Sequence, residues 1–342
     1  MSILHRYIKN GFKKTYIIAE IGGNFNTFNQ AKKLILSAKK CGADAVKIQT
    51  YKADTLASKK AKFDMENTGK VSQYDLFKKY QLSNKLHEKI FKFAKKIDID
   101  FFSTPAHETD VEMLESFNVP IHKIGSDDAV NIPFLEYVAK TKKIIILSTG
   151  MCTLSEVKRS VKAIYKHNKK LIVLHCVSNY PTKTSDVNLK AIETLKSTFP
   201  KIFIGFSDHT VGISASLYSV SFGARIIEKH FTLNKKAKGP DHILSADPTE
   251  LSQLIKIVRE YEFLEGDGKK IPNKTEIKNK KNNRKSLVIE KNIEKGKMLT
   301  KENISIKRPG SGIEPKDFYK VIGKKAIKKL KKDHVIKWSD IE

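Results

Sequence analysis

Three cysteines, Cys41, Cys152 and Cys176, are all that this 342-residue chain contains. An odd number, widely spaced and without a CxxC pair, argues against a disulfide framework and against a zinc–cysteine site. Each reads as a small buried hydrophobe rather than a nucleophile. No apolar run approaches the ~18 residues that a membrane span requires. The first residues, Met1 to Asn10, are polar and basic and lack the apolar stretch of a signal peptide, so the expected compartment is the cytoplasm. No Walker loop and no GxGxxG occurs, which leaves nucleotide binding unsupported. Acidic residues are few beside basic ones, 37 against 65, for a net charge of +28. Such an excess raises the possibility of a nucleic-acid partner. The lysines are spread along the whole chain, however, and no stacking motif, zinc finger or helix-turn-helix accompanies them. A solvated lysine-rich surface is the simpler reading, and no nucleic-acid partner is expected. The same field would still draw in a phosphorylated substrate.

What is present is a recurring alternation. An apolar fraction of 40% supports a sizeable core. Short, nearly continuous apolar runs fall at Tyr16–Glu20, Asp44–Gln49, Ile99–Ser103, Ile121–Gly125, Lys143–Ser148, Lys170–His175, Ile202–Phe206 and Arg225–His230. Runs of that kind suit strands buried on both faces of a parallel sheet. Helical periodicity lies between several of them: Asn29–Cys41, stopped by Gly42; Asn84–Ile97; Thr153–Tyr165, opened by a capping box to Glu156; then Val187–Phe199, Ile213–Phe222 and Thr249–Leu264. The expected fold is α/β, a (β/α)8 TIM barrel over residues 1–268. The stretch Tyr51–Gln73 is expected to be a loop over the barrel mouth. Residues 269–284 are almost devoid of apolar side chains and read as a linker with some helical character. Residues 285–342 change texture to short strands and turns, a small, mostly β domain that is marginal alone.

In such a barrel the chemistry sits where strands end. The ends supply Glu20, Lys47, Gln49, Ser103, Thr104, Lys123, Ser126, Ser148, Thr149, His175, Ser207, Asp208, His209, Glu228 and His230. A lysine inside a buried strand is costly unless an anion meets it, and Lys47 and Lys123 with nearby hydroxyls would make a phosphate or carboxylate cradle. His209 and His230, on successive strands, could face one site as half of a divalent-metal centre. Spacing alone leaves them open between ligands and structural hydrogen-bonders. His175 reads as structural, and Glu20 reads equally as a core carboxylate paired with a lysine.

At these residues the sequence resembles the sialic acid (nonulosonic acid) synthase family over nearly its whole length. The resemblance is carried by Ala19-Glu-Ile-Gly22, Gly42-Ala-Asp-Ala-Val-Lys-Ile-Gln-Thr50, Ser103-Thr-Pro105, Lys123-Ile-Gly-Ser126 and Ser148-Thr-Gly-Met151. It continues through Tyr180-Pro-Thr182, Phe206-Ser-Asp-His-Thr210, Ile227-Glu-Lys-His-Phe-Thr232 and Gly239-Pro-Asp241. The tail resembles the antifreeze-like SAF domain through Gly296 and Lys307-Arg-Pro-Gly310. The neuraminic and legionaminic branches look nearer than the pseudaminic one. The resemblance implies condensation of phosphoenolpyruvate with an N-acetylated hexose, either N-acetylmannosamine or a 2,4-diacetamido-2,4,6-trideoxymannose. It implies a divalent metal, Mn²⁺ with Mg²⁺ or Co²⁺ as alternatives, on His209 and His230. Lys47, Thr104, Lys123, Ser126 and Ser207 match positions expected to hold phosphoenolpyruvate. Glu20, Gln49, Asp128, Tyr180 and Asp241 match positions near the sugar or the intermediate, with Glu20 suited to general acid–base work. Arg308 matches an arginine that the tail extends into a partner's site, so a homodimer with exchanged SAF domains is implied.

Two departures bear on the acceptor. Where the family writes Asn-His-Asn-Gly, this chain has Asn24-Phe-Asn-Thr27; where it writes Gly-Ser-Gly-Glu, this chain has Gly125-Ser-Asp-Asp128. The reaction is expected to survive and the acceptor sugar to differ. The alternatives are another phosphoenolpyruvate-dependent 3-deoxy sugar acid synthase and a non-catalytic basic nucleic-acid-binding protein.

Overall fold

Inward-facing strand positions change from apolar to polar along the chain direction, and this organises the fold. The structure, a computed structural model, describes residues 2–65 and 69–342. The chain divides into two units, Met1–Gly266 and Asp267–Glu342.

The first unit is built on eight parallel strands: β1 (Tyr16–Glu20), β2 (Ala45–Thr50), β3 (Asp100–Pro105), β4 (Ile121–Ile124), β5 (Ile144–Ser148), β6 (Leu171–Cys176), β7 (Phe203–Asp208) and β8 (Ile226–His230). They pair in sequence order, and β8 closes on β1 to make a complete barrel. A closed ring leaves no edge strand, which suits strands rich in Ile and Val. Alternate residues point inward. Tyr16, Ile18, Ala45, Phe102, Ile121, Ile144, Ile146, Ile172, Leu174 and Ile226 make one apolar cluster, the filled lower barrel. Continuing the same parity upward gives Glu20, Lys47, Gln49, Thr104, Lys123, Ser148, Cys176, Ser207, Glu228 and His230. The opposite parity packs against helices in two further clusters, with Ile17, Val46 and Ile227 in one and Ile145, Val173 and Ile204 in the other.

The helices follow local signals. Phe28–Cys41 is opened by a capping box between Thr27 and Gln30 and closed by Gly42 at φ 97°. Leu154–His167 carries the expected capping box of Thr153 with Glu156. Glu108–Ser116 and Ile132–Lys140 are helices that periodicity did not single out. The basic N-terminus also folds: Ile3–Lys9 is a helix whose Leu4 joins the lower-barrel cluster. Asp100 holds it there, accepting from the backbone of Ile3 and Leu4 at 2.9 and 2.8 Å and from the Tyr16 hydroxyl at 2.8 Å.

The expectation of an irregular loop over Tyr51–Gln73 is corrected by the structure. A helical turn at Ala53–Leu56 leads to an antiparallel hairpin, Lys62–Met65 with Gly69–Ser72, and then to helix Gln73–Tyr80. Residues 66–68 of that expectation lie outside the described residues. Alternation of polar and apolar side chains across Lys62–Ser72 is the period-2 signal that marks such a hairpin.

The second unit opens with helix Lys274–Asn283, capped by Asn273 and Glu276 and buried nowhere along its length. An antiparallel pair, β9 (Ser286–Ile289) and β10 (Ile304–Lys307), follows. Leu287, Ile289, Leu299, Ile304, Leu330 and Ile336 are among the side chains that form its own core. Residues 263–285 are exposed without a break. Brief trypsin treatment should therefore cut first among Lys269–Lys285 and release a barrel fragment and a tail fragment. Mass spectrometry placing the earliest cuts inside the barrel would contradict this division.

Candidate functional site

Strand register brings the polar ends together. Glu20 of β1 stands level with Lys47 of β2 on one side and His230 of β8 on the other. Glu228 stands level with Ser207, and Gln49 with Thr104. The result is a cavity of about 640 Å³ at the C-terminal mouth of the barrel.

Its floor is ionic. Lys47 pairs with Glu20 and donates to Thr104 Oγ1 at 3.0 Å. Lys123 donates to Ser148 Oγ at 2.7 Å and to the Ile124 carbonyl at 3.1 Å. Glu228 lies between the lysines, 3.7 Å from Lys47 Nζ and 3.9 Å from Lys123 Nζ, too far for hydrogen bonds. It accepts one bond from Ser207 Oγ at 3.1 Å, and its Oε2 is buried without a partner. All four ionisable groups are 4% exposed or less. Burial pulls the Lys47 ammonium down, but Glu20 and Glu228 outweigh it and hold it above the usual lysine range. Burial wins at Lys123, which is lowered, and at Glu20, which is raised although Lys47 opposes the shift. Burial raises Glu228 as well, yet Lys123 and Lys47 together bring it below its usual value. The floor thus holds two ammonium groups ringed by hydroxyls: Lys47 has Glu20 in contact, Lys123 has no carboxylate within hydrogen-bonding distance, and Glu228 reaches neither, so the floor can receive a phosphate or carboxylate.

The imidazoles form one wall. His209 and His230 stand 5.5 Å apart between ring centroids, and Tyr180 lies 4.1 Å from His209. His209 Nδ1 donates to the Val177 carbonyl at 2.8 Å. Burial lowers this imidazole, but Cys176, whose Sγ lies 3.7 Å from Nδ1, leads the groups that outweigh it and hold the ring above the usual histidine range; in the neutral form Nε2 carries the lone pair. His230 is pushed well below the usual histidine range by burial first and by neighbouring His209 second, so it stays neutral. Its Nδ1 is buried without a hydrogen bond, 3.7 Å from Asp241 Oδ2. That contact is not an ion pair, because burial, helped by Glu20, raises Asp241 to about 7 while His230 is driven neutral. Gly23, at φ 76°, lets the chain pass Asp241: a Cβ there would sit 2.8 Å from its carboxylate oxygen. Among the described residues no three or more His, Cys, Asp or Glu side chains converge as a metal cluster.

The remaining wall comes from the segment after β2. Tyr51, Leu56, Leu76, Phe77 and Tyr80 line it, and Tyr51 meets Phe77 edge-on at 5.2 Å. Tyr51 and Leu56 fall in the stretch expected to cover the barrel mouth; Leu76, Phe77 and Tyr80 lie beyond it, where the sequence pointed to no site residue.

Of the site residues expected from sequence, Lys47, Gln49, Thr104, Lys123, Ser126, Tyr180, Ser207, His209, His230 and Asp241 line this one cavity. Glu20 lies against its floor through Lys47. Asp128 is not part of the lining; its carboxylate accepts from Asn131 Nδ2 at 2.9 Å, and Asp127 faces the cavity instead. Arg308 belongs to the second unit, where it is exposed and makes no hydrogen bond or ion pair among the described residues. His175 points away and bonds the Val187 carbonyl at 2.7 Å, a structural role. Phe25, in place of the family's histidine, is buried in the apolar layer with Ile21 and Ala31. Glu228 and Asp127 were the functional candidates left without a role by sequence.

A closed parallel barrel with a buried cationic floor at the C-terminal ends of its strands defines a barrel enzyme with an anion-receiving site. The NeuB family profile matches residues 34–270, and the SAF domain profile matches residues 284–342. The chain belongs to the NeuB family and is an enzyme of it. It is 42% identical to N,N'-diacetyllegionaminic acid synthase of Campylobacter jejuni, over 95% of this chain and 99% of that protein. It is 38% identical to pseudaminic acid synthase of the same organism, over 97% and 98%. The crystal structure of an N-acetylneuraminic acid synthetase from Leptospira borgpetersenii, in complex with citrate, superposes with a TM-score of 0.71 at 35% identity, covering 78% of this chain and 90% of that one. Of these three, the legionaminic relative is nearer than the pseudaminic one, as the motifs implied, and the neuraminic relative is not.

The elevated Asp241 generates a stability prediction. Its folded pKa of about 7 lies above the ordinary carboxyl value of 3.8, so the fold favours the neutral acid. The resulting penalty is absent below the ordinary value, grows as pH rises, and is complete above about 7. In chelator, Asp241→Asn should therefore be more stable than the parent, and the gap should widen by about 2 kcal/mol from about pH 5 to about pH 8. Urea melts at the two pH values measure it; a gap that narrows with rising pH would show Asp241 to be held ionised.

Proposed function

We propose that the enzyme condenses phosphoenolpyruvate with an N-acetylated hexose to give a nonulosonic acid and phosphate. The observation that carries this reading is the floor itself: two buried lysines, ringed by hydroxyls, whose nearest shared carboxylate stops short of hydrogen-bonding them. Phosphoenolpyruvate carries a phosphate and a carboxylate on one carbon, the two groups such a floor can hold. The Campylobacter jejuni relative's name adds the legionaminic acid product.

In this reading Lys47 and Lys123, with Thr104, Ser126 and Ser207, orient phosphoenolpyruvate so that its C3 faces the acceptor aldehyde carbon. A carbon–carbon bond forms there, the aldehyde oxygen takes up a proton, water adds at C2, and the tetrahedral centre releases phosphate to leave a ketone. Glu20, raised by burial and hydrogen-bonded by the Gly22 amide at 2.5 Å, is suited to exchanging protons beside the reacting carbons. Gln49, Tyr180 and Asp241 address the sugar. His209 Nε2 and the neutral His230 suit a divalent cation, Mn²⁺ or else Mg²⁺ or Co²⁺, with water and substrate as its other ligands. Such a cation would supply Lewis-acid polarisation of the aldehyde oxygen. The exposed Arg308 fits a homodimer in which the partner subunit's Arg308 completes the site.

Phosphate release should be seen with phosphoenolpyruvate, Mn²⁺ and an N-acetylated hexose, with a product mass equal to the sum of the two substrates plus water minus phosphoric acid. His209→Ala should abolish it. No release with any such hexose would defeat the reading, and full turnover by His209→Ala would remove that imidazole from it.

Between the two acceptors, the wall of Leu56, Leu76, Phe77 and Tyr80 favours the 2,4-diacetamido-2,4,6-trideoxymannose. This sugar has an acetamido methyl and a C6 methyl where N-acetylmannosamine has hydroxyls. Two methyl-sized groups buried at about 0.8 kcal/mol each predict a kcat/KM advantage of about tenfold. Phe77→Asn should narrow that ratio. Equal kcat/KM values for both sugars would show that the apolar wall does not select the acceptor.

A further inference from the structure

A second buried ion pair lies back to back with the cavity. Asp208 of β7 and Lys229 of β8 carry the outward parity, so their side chains leave the barrel and enter the helix layer, where the other strands place Ile and Val. Both are 0% exposed, and their charged atoms are 3.2 Å apart. The two residues stand level across the β7–β8 seam. His209 immediately follows Asp208, and His230 immediately follows Lys229.

The pair grips one peptide segment from both sides. Asp208 Oδ1 accepts from the Thr210 amide at 2.8 Å, and Lys229 Nζ donates to the Thr210 carbonyl at 2.5 Å. Ser216 Oγ donates to Asp208 Oδ2 at 2.5 Å and fixes the carboxylate plane. The carbonyl of His209 is taken by the Thr182 amide at 2.9 Å. The backbone that carries His209 therefore has little freedom to turn, and the residue that clamps it is joined covalently to His230.

An ion pair in this layer is a poor source of stability. Desolvation of two ions offsets most of their attraction, and an apolar pair of similar volume serves packing as well or better. Such a pair does fix a geometry, because each charge has only one low-energy arrangement of partners. We propose that Asp208 and Lys229 are positioning residues that set the spacing of the His209 and His230 rings, so that the two imidazoles are pre-organised to share one divalent cation. The inference rests on the two imidazoles being ligands, as proposed above.

The test is Mn²⁺ binding by electron paramagnetic resonance on the full chain, beside the KM for phosphoenolpyruvate at saturating Mn²⁺. Two variants are compared with the parent: Lys229→Met, which removes the clamp, and Ser216→Ala, which removes only the bond orienting Asp208. Loss of an outer-shell partner lowers metal affinity by about tenfold or more, so the Mn²⁺ Kd should rise by about that factor in Lys229→Met and by a smaller factor in Ser216→Ala. The KM should change little in either. Should Lys229→Met fail to fold, Ser216→Ala decides alone. Parental Mn²⁺ affinity in the folded variants overturns the positioning role while leaving the site intact. An equal loss of metal and phosphoenolpyruvate binding overturns it as general loosening. A parent chain that binds no Mn²⁺ removes the metal site and the positioning role together.

Discussion

The meeting of Lys47, Lys123, Glu20 and Glu228 as buried side chains at the bottom of one cavity is the constraint on which the rest of the first unit depends. An ion taken from water into protein costs several kcal/mol even after relaxation. Four such groups persist together only because their charges nearly cancel and because Thr104, Ser148, Ser207 and the Gly22 amide hydrogen-bond them. The cancellation is incomplete by design of the register: Glu228 stands between two ammonium groups and reaches neither. A site finished to perfection by its own carboxylates would have nothing left to offer a phosphate. The lower barrel, with its filled apolar layers, supplies the stability that the upper layers lack.

Strand parity explains why so much of this could be read from residues alone. In a barrel strand every second residue faces inward, so a polar residue after two apolar inward positions announces the site. Tyr16, Ile18, Glu20 follows that rule, as does Ile144, Ile146, Ser148; in Ile226, Glu228, His230 the change comes one inward position sooner. Strands buried on both faces are continuous apolar runs, which is why all eight were legible with boundaries off by a residue or two. The illegible parts depend on direction rather than character. Asp127 and Asp128 are adjacent carboxylates just after β4, and nothing in their identity tells which faces the cavity. Asn131, which caps helix Ile132–Lys140, settles it by holding Asp128 back. The segment after β2 was misjudged because its hairpin is short and its apolar side chains face a cavity rather than a core. The N-terminal helix was missed because the Asp100 carboxylate that anchors it comes from the far end of the sequence-local view.

The parity rule also separates the two uses of charge at the end of β8. Glu228 and His230 face inward, where a partner from solution can complete them. Lys229, between them, faces outward and finds every partner within the chain: Asp208 and the Thr210 carbonyl. An unmet buried group marks where the molecule is open to a ligand; a fully met one marks where it is held rigid. The two kinds alternate along three consecutive residues. Moving the pairing by one residue would exchange them, putting the satisfied lysine into the cavity and the unsatisfied carboxylate into the helix layer. The apolar run that precedes these residues, Ile226 and Ile227 level with Tyr16 and Ile17, is therefore what makes the chemistry possible, because it is the part of the strand with enough buried surface to hold the register.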